Sequence, residues 1–357
     1  MKKLTRRELI LYLGAGLSTL TLNQLLAACG VKPGADTSPT GQPVSLTPPF
    51  TPTPSQIATP VTSPSSTVTA NGTAQTPNIK QSPSQSQNPY LVVARGGQPE
   101  ALVRAAINGL GGMQRFVPHG ANVIIKPNIC VAYHTYEYAA TTNPWVVGAL
   151  VKLCLEAGAA SVKVMDSPFG GTPTDAYKIS GIQDQVNAAG GQMEFMRAIK
   201  YAVTKIPNAV NLFTTKIYED ILKADVLINV PIAKTHDLAR LTLGMKNMMG
   251  VIEERSILHF DLGNNLTDLN SFVHSTLTVI DAVRILTRNG PTGGNLADVK
   301  ELDTVIASPD IVAADSYGAT LFGMKPEDLD YIKVATRRGL GRSDLSNLNI
   351  KDIPVGA

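Results

Sequence analysis

From residue 89 onward the chain alternates short runs dense in Val, Ile and Leu with longer stretches whose apolar residues recur every three or four positions. Short continuous or period-two runs bounded by Gly, Pro and Asn predict strands, and the longer 3.6-residue period predicts helices. YLVVARG at 90–96 and NVIIKPN at 122–128 predict strands, with a helix from Pro99 to Leu110 between them. The next helix is expected from Pro144 to Ala157, with Pro144 in its first turn, Thr142 or Asn143 as cap and Gly158 as its stop. SVKVMD at 161–166 predicts a strand, DAYKISGIQDQVNAAGG a helix, and DVLINVP at 225–231 a buried strand. A long helix is expected from about Leu266 to Thr287, with Asp281 inside it, followed by the strand LDTVIAS and the helix IVAADSYGATLFG. This alternation predicts an α/β fold, a mainly parallel sheet with helices on both faces.

The first 88 residues follow a different pattern. Lys2, Lys3, Arg6 and Arg7 precede an apolar run from Leu9 to Leu26, rich in Gly, Ser and Thr, which ends Leu26-Ala27-Ala28-Cys29-Gly30. This is the order of a signal peptide, and the small residues before Cys29 resemble a bacterial lipobox, in which the cysteine is acylated and becomes the new N-terminus. TRRELIL resembles the twin-arginine consensus, which implies export of a folded cargo. An ordinary secretory signal and an uncleaved anchor are the competing readings. Residues 1–28 are thus expected to be a twin-arginine lipoprotein signal. From Thr37 to Ile79 no residue is charged, and Pro, Ser, Thr and Gln dominate. Such a segment buries too little apolar surface to offset its ordering entropy. Residues 29–88 are accordingly read as lipidated Cys29 and a disordered tether. The domain of 89–357 is then expected to sit on the outer face of a cell-envelope membrane.

Composition narrows the chemistry. The formal charge is +3, from 31 basic and 28 acidic residues. Cleavage before Cys29 removes four of the former and one of the latter, leaving 27 of each, so no basic excess remains for a nucleic acid. Cys130 and Cys154 are the other cysteines. They form no CxxC pair and no iron-sulfur set, and two buried thiols are favoured over one disulfide.

In open α/β sheets ligands collect beyond the carboxyl ends of the strands. There the sequence places Lys126 and Asn128, then Asp166, then Lys234 and His236, with Lys246 and Asn247 in the glycine-flanked LGMKNMMG. Three lysines at one rim would repel one another unless an anion lay between them, so a carboxylate or phosphate ligand is expected. Thr141 and Thr142 would add donors at a helix N-terminus. His236, with an ordinary pKa near neutrality, suits a general acid or base, and a crowded lysine could join it. The catalytic candidates are therefore His236, Lys234 and Lys126. The ligand-binding candidates are Asn128, Thr141, Thr142, Asp166, Lys246, Asn247 and Asp281. Asp281 reads equally as a salt-bridge partner of a strand-end lysine, and Asp310 as a helix cap. Neither zinc-ligand spacing nor a Walker A, GxGxxG, HExxH or GxSxG pattern occurs.

IIKPN with TTNP, KVMDSP, INVPIAKTH with LGMKNMMG, IDAV, and GPTGG before IASPDIVAAD together resemble the family called domain of unknown function 362, over about residues 90 to 340. The resemblance singles out Lys126, Asn128, Thr142, Asp166, Lys234, His236, Lys246, Asn247, Asp281 and Asp315. Many members carry a ferredoxin-like iron-sulfur module, which implies redox chemistry. This chain lacks those cysteines, so a redox role would need a separate partner protein or a bound cofactor. Asn143 also stands where such sequences often have His. The order of motifs is more distantly similar to the nickel-pincer lactate racemases, in layout alone. The resulting expectation is an enzyme acting on a small anionic ligand, oxidoreductase- or racemase-like. The alternatives are a solute-binding lipoprotein and a scaffold of a membrane redox complex.

Overall fold

The computed structural model describes residues 89–356. The export signal, Cys29 and the tether fall outside the described residues. The chain enters through β1 (Leu91–Arg95), α1 (Pro99–Gly109) and β2 (Asn122–Pro127), then α2 (Pro144–Glu156) and β3 (Ser161–Val164). It continues through α3 (Pro173–Ile179), α4 (Ile182–Ala188) and β4 (Gln192–Met193). The hairpin β5 (Tyr201–Lys205) and β6 (Thr214–Tyr218) forms a sheet of its own and leads through α5 (Glu219–Lys223) to β7 (Val226–Val230). Next come β8 (Ile232–His236), β9 (Arg240–Thr242), α6 (Gly244–Asn247) and α7 (Leu262–Phe272). The last elements are β10 (Leu277–Leu286), β11 (Val299–Ser308), α8 (Ile311–Thr320), α9 (Asp330–Arg337) and β12 (Ile350–Pro354).

The main sheet runs β12-β1-β11-β10-β7-β2-β3-β4, with β8 and β9 attached beside β10. Pairing is parallel from β10 through β7, β2 and β3 to β4, and antiparallel where β11 joins β1 and β10. Strand residues alternate between two cores, as the period of two requires. Val92, Val123, Ile125, Ile228 and Val279 pack with α1, α2 and α4 on one face. Leu91, Val93, Ile124, Leu227 and Ile280 pack with α7, α8 and α9 on the other. Each fully buried Val, Leu or Ile contributes about 1.5–3 kcal/mol. The fold is therefore the expected α/β architecture, a mixed and mostly parallel sheet covered on both sides.

Local chemistry explains the element ends. Pro144 starts α2, the Asn143 side chain accepts from the Trp145 N–H, and Gly158 leaves the helix at φ +92°. Asp310 caps α8 by accepting from Val312 and Ala313. Two expectations are corrected. The helix expected over DAYKISGIQDQVNAAGG is two, α3 and α4, divided at Gly181 with φ +73°. The helix expected from Leu266 to Thr287 ends at Phe272, and its second half is β10. TLTVIDAVRIL is dense in β-branched residues and buried on both faces, and such a strand lacks the alternation that would separate it from a buried helix. Asp281 consequently lies on a strand. Cys130 and Cys154 are free buried thiols, and burial raises the Cys154 pKa to about 12.

Candidate functional site

The carboxyl ends of β2, β3 and β8 converge with α6 and the 255–259 segment on one cavity of about 510 Å³. Lys126, Asn128, Asp166, Lys234, His236, Lys246 and Asn247 all line it. Sequence positions more than a hundred residues apart thus meet at one strand-end rim.

The floor is a closed polar network. Lys126, 1% exposed, donates to Asp166 Oδ1 at 2.7 Å, to the Pro127 carbonyl at 3.1 Å and to Asn247 Oδ1 at 3.2 Å. The other Asp166 oxygen accepts the Ile129 N–H at 2.7 Å. Lys234 donates to the Ala140 and Pro291 carbonyls at 2.6 and 2.9 Å and to Asn128 Oδ1 at 3.0 Å. Amides continue the chain: Asn128 donates to Asn247, and Asn247 to Asn229, whose own amide donates to the Gly244 carbonyl. Gly250 covers the Lys126–Asp166 pair so closely that a Cβ there would lie 2.5 Å from Asp166 Oδ1 and 2.7 Å from Lys126 Nζ. Only glycine permits that approach. Desolvation lowers the pKa of both lysines, opposed at Lys126 by Asp166. Lys126 thus has an internal carboxylate and Lys234 is held by three neutral oxygens, while the charge of Lys234 still lowers the pKa of both Lys126 and Lys246.

Lys246 differs. Its Nζ has one polar neighbour, His236 Nε2 at 3.3 Å, and burial, with Lys234 and Arg255 nearby, lowers its pKa to about 7. His236 Nδ1 accepts from the Leu238 and Ala239 N–H groups. That bonding assigns the ring proton to Nε2, directed at Lys246. Burial, followed by the charge of Lys246 and by His259, pushes the His236 pKa down to about 3. The His236 imidazole is therefore held neutral at physiological pH, and the Lys246 amine beside it, lowered to about 7, is a second group in the cavity able to exchange a proton there.

Three expected ligand contacts do not line the cavity. Thr142 Oγ1 accepts the Asn128 N–H and donates to the Val230 carbonyl, while Thr141 Oγ1 accepts the Cys130 N–H. Both brace the segment after β2 from behind. Asp281 accepts from the Asn143 and Val283 N–H groups, has no lysine partner, and is raised to about 6 by burial. Asp315, raised to about 7 by burial, accepts from the Gly244 and Met245 N–H groups and so fixes the start of α6, which carries Lys246. Among the described residues, no group of three His, Cys, Asp or Glu is placed to hold a metal.

Arg255 and His259, four residues apart, and Ser256 also line the cavity. The preceding Glu253 and Glu254 make their segment read as ordinary surface, although the i, i+4 spacing of a cation and an imidazole was available as a signal. Neither Lys246 nor Arg255 forms an ion pair with a carboxylate among the described residues, and His259 Nε2 is buried without a partner.

Fold and cavity together define an α/β protein with a cation-lined site beyond its strand ends. The family model described as "Domain of unknown function (DUF362)" matches residues 123–320, and the chain belongs to that family. A thylakoid-associated protein of Synechocystis sp. is 26% identical over 249 residues, 67% of this chain and 75% of that relative. Among solved structures, the lactate racemase apoprotein from Thermoanaerobacterium thermosaccharolyticum is similar at TM-score 0.38 and 12% identity, covering 61% of this chain. This chain spans 54% of the racemase's length. A Thermotoga maritima protein matches at TM-score 0.36 and 10% identity, over 64% of this chain and 60% of that one.

Proposed function

We propose that this chain is an exported enzyme, anchored by a lipid on Cys29, that binds a small carboxylate or phosphate in the strand-end cavity. The observation that carries the ligand class is the pair of cations, Lys246 and Arg255, facing one cavity without a carboxylate partner among the described residues. Lys246 is buried and Arg255 half-buried, and cationic charge placed so is stabilised by an anion. Lys246 supplies the proton-transfer group, since its pKa near 7 leaves free base and ammonium both populated at neutral pH. His236 Nε2–H donates to the free-base form of Lys246, and Asn128 and Asn247 fix the floor beneath the ligand. A redox step would draw on a separate partner protein or a bound cofactor.

Purified full-length chain is expected to gain thermal stability from a carboxylate or phosphate in a metabolite pool and to consume that compound. Arg255→Gln loses the stabilisation, and Lys246→Met loses the turnover. Retention without consumption would make the protein a solute-binding lipoprotein. Full stabilisation of both variants would remove the site from consideration. For the anchor, cells fed labelled palmitate are expected to label the parent but not Cys29→Ala, and equal labelling would refute acylation at that residue.

A further inference from the structure

The cavity is too large for a bare anion, and its mouth is apolar. At about 30 Å³ for each water-sized group, acetate or phosphate has the bulk of only a few waters and leaves most of the 510 Å³ empty. Cavities of this size suit molecules with a substantial apolar portion. Phe169 and Leu238 line the mouth and are 72% and 69% exposed, while Met249 and Ile129 line the cavity as buried apolar residues. Phe169 is no free loop tip, because its N–H donates to the Cys130 carbonyl at 2.7 Å. Tyr133, 59% exposed, lies against Gly170 beside it. Exposed apolar side chains are common on this chain, but at the lip of a cavity they offer surface that a ligand would cover.

We propose that the ligand is an organic anion, with a carboxylate or phosphate head at Lys246 and Arg255 and an apolar substituent packed on Phe169, Leu238 and Met249. The inference rests on the anion reading above and adds the chemical class of the rest of the molecule. A free metabolite and the head of a lipid share this chemistry.

The test compares matched probes by titration calorimetry on the full-length chain: acetate with benzoate, and inorganic phosphate with phenyl phosphate. Covering a ring at the mouth is expected to tighten binding about tenfold in each pair. Phe169→Ser and Leu238→Ser, both at exposed positions, should abolish that gain while leaving the affinities of acetate and inorganic phosphate unchanged. Phe169→Leu should restore most of it. Equal affinities within each pair, or a gain untouched by the two serine variants, overturns the inference and leaves the anion reading standing. Failure of all four probes to bind is a different result and removes that reading as well. Butyl and hexyl phosphate separate the two sources: a gain that stops at butyl fits a free metabolite, a gain that continues fits a lipid chain, and either supports the proposal.

Discussion

Asp166→Asn is expected to lower the thermal unfolding midpoint by roughly 10 °C, the effect of leaving a buried ammonium without its counter-ion at a cost of about 3–5 kcal/mol. The side chains of Lys126 and Asp166 are 1% and 5% exposed, so solvent screens the pair weakly. Asparagine keeps the shape but turns one of two accepting oxygens into a donor that faces Lys126 Nζ or the Ile129 N–H, so the loss reports charge and hydrogen bonding and not a cavity. Lys126→Met should fall by less, because Asp166 would still accept the Ile129 N–H. Joining the two changes should cost less than their sum, as contacting partners do. Differential scanning calorimetry of the three variants checks this, and strict additivity would mean that the pair is not coupled.

Lys246 should govern the pH dependence of anion binding. Protonated Lys246 attracts the ligand, so affinity is expected to hold below pH 7 and to weaken above it, by up to about tenfold per pH unit while a single proton is taken up on binding. Lys246→Met should flatten this profile. Stability supplies a second readout. The pKa of Lys246 falls from 10.5 in the free side chain to about 7 in the fold, so between those values the unfolded chain binds more protons and stability rises with pH. Below pH 7 the full penalty is present, and there Lys246→Met should melt above the parent, the two converging towards pH 10. His236 acts across a more acid range: its pKa falls from 6.5 to about 3, so its contribution rises with pH there, against the opposite slope of Asp281 and Asp315, whose pKa values are raised from 3.8 to about 6 and about 7. His236→Gln should therefore change the acid limb and spare the alkaline one. An alkaline limb that survived Lys246→Met would assign the titration to another group.

The strand-end rim was legible because Lys126, Asp166, Lys234 and Lys246 each follow a recognisable β-rich run or a glycine-flanked motif. Their division of labour was not. Whether a lysine faces a ligand or an internal oxygen depends on partners such as Asp166, 40 residues from Lys126, and Pro291, 57 residues from Lys234. No local pattern encodes those distances. The same limit hid Arg255 and His259, which reach the cavity only through packing of a segment that carries no strand signal. β10 misled for a different reason: a strand covered on both faces has no polar side to separate it from a buried helix, and Asp281 lies within it. Its carboxylate instead serves two backbone N–H groups.

The attachment points of the polar groups also divide by supporting element. Lys126 and Lys234 hang from β2 and β8 and are locked to oxygens inside the molecule, whereas Lys246, Arg255 and His259 all belong to the single stretch 244–261. Exchanging residues in that stretch would retune selectivity towards a different compound while the framework beneath stayed as built.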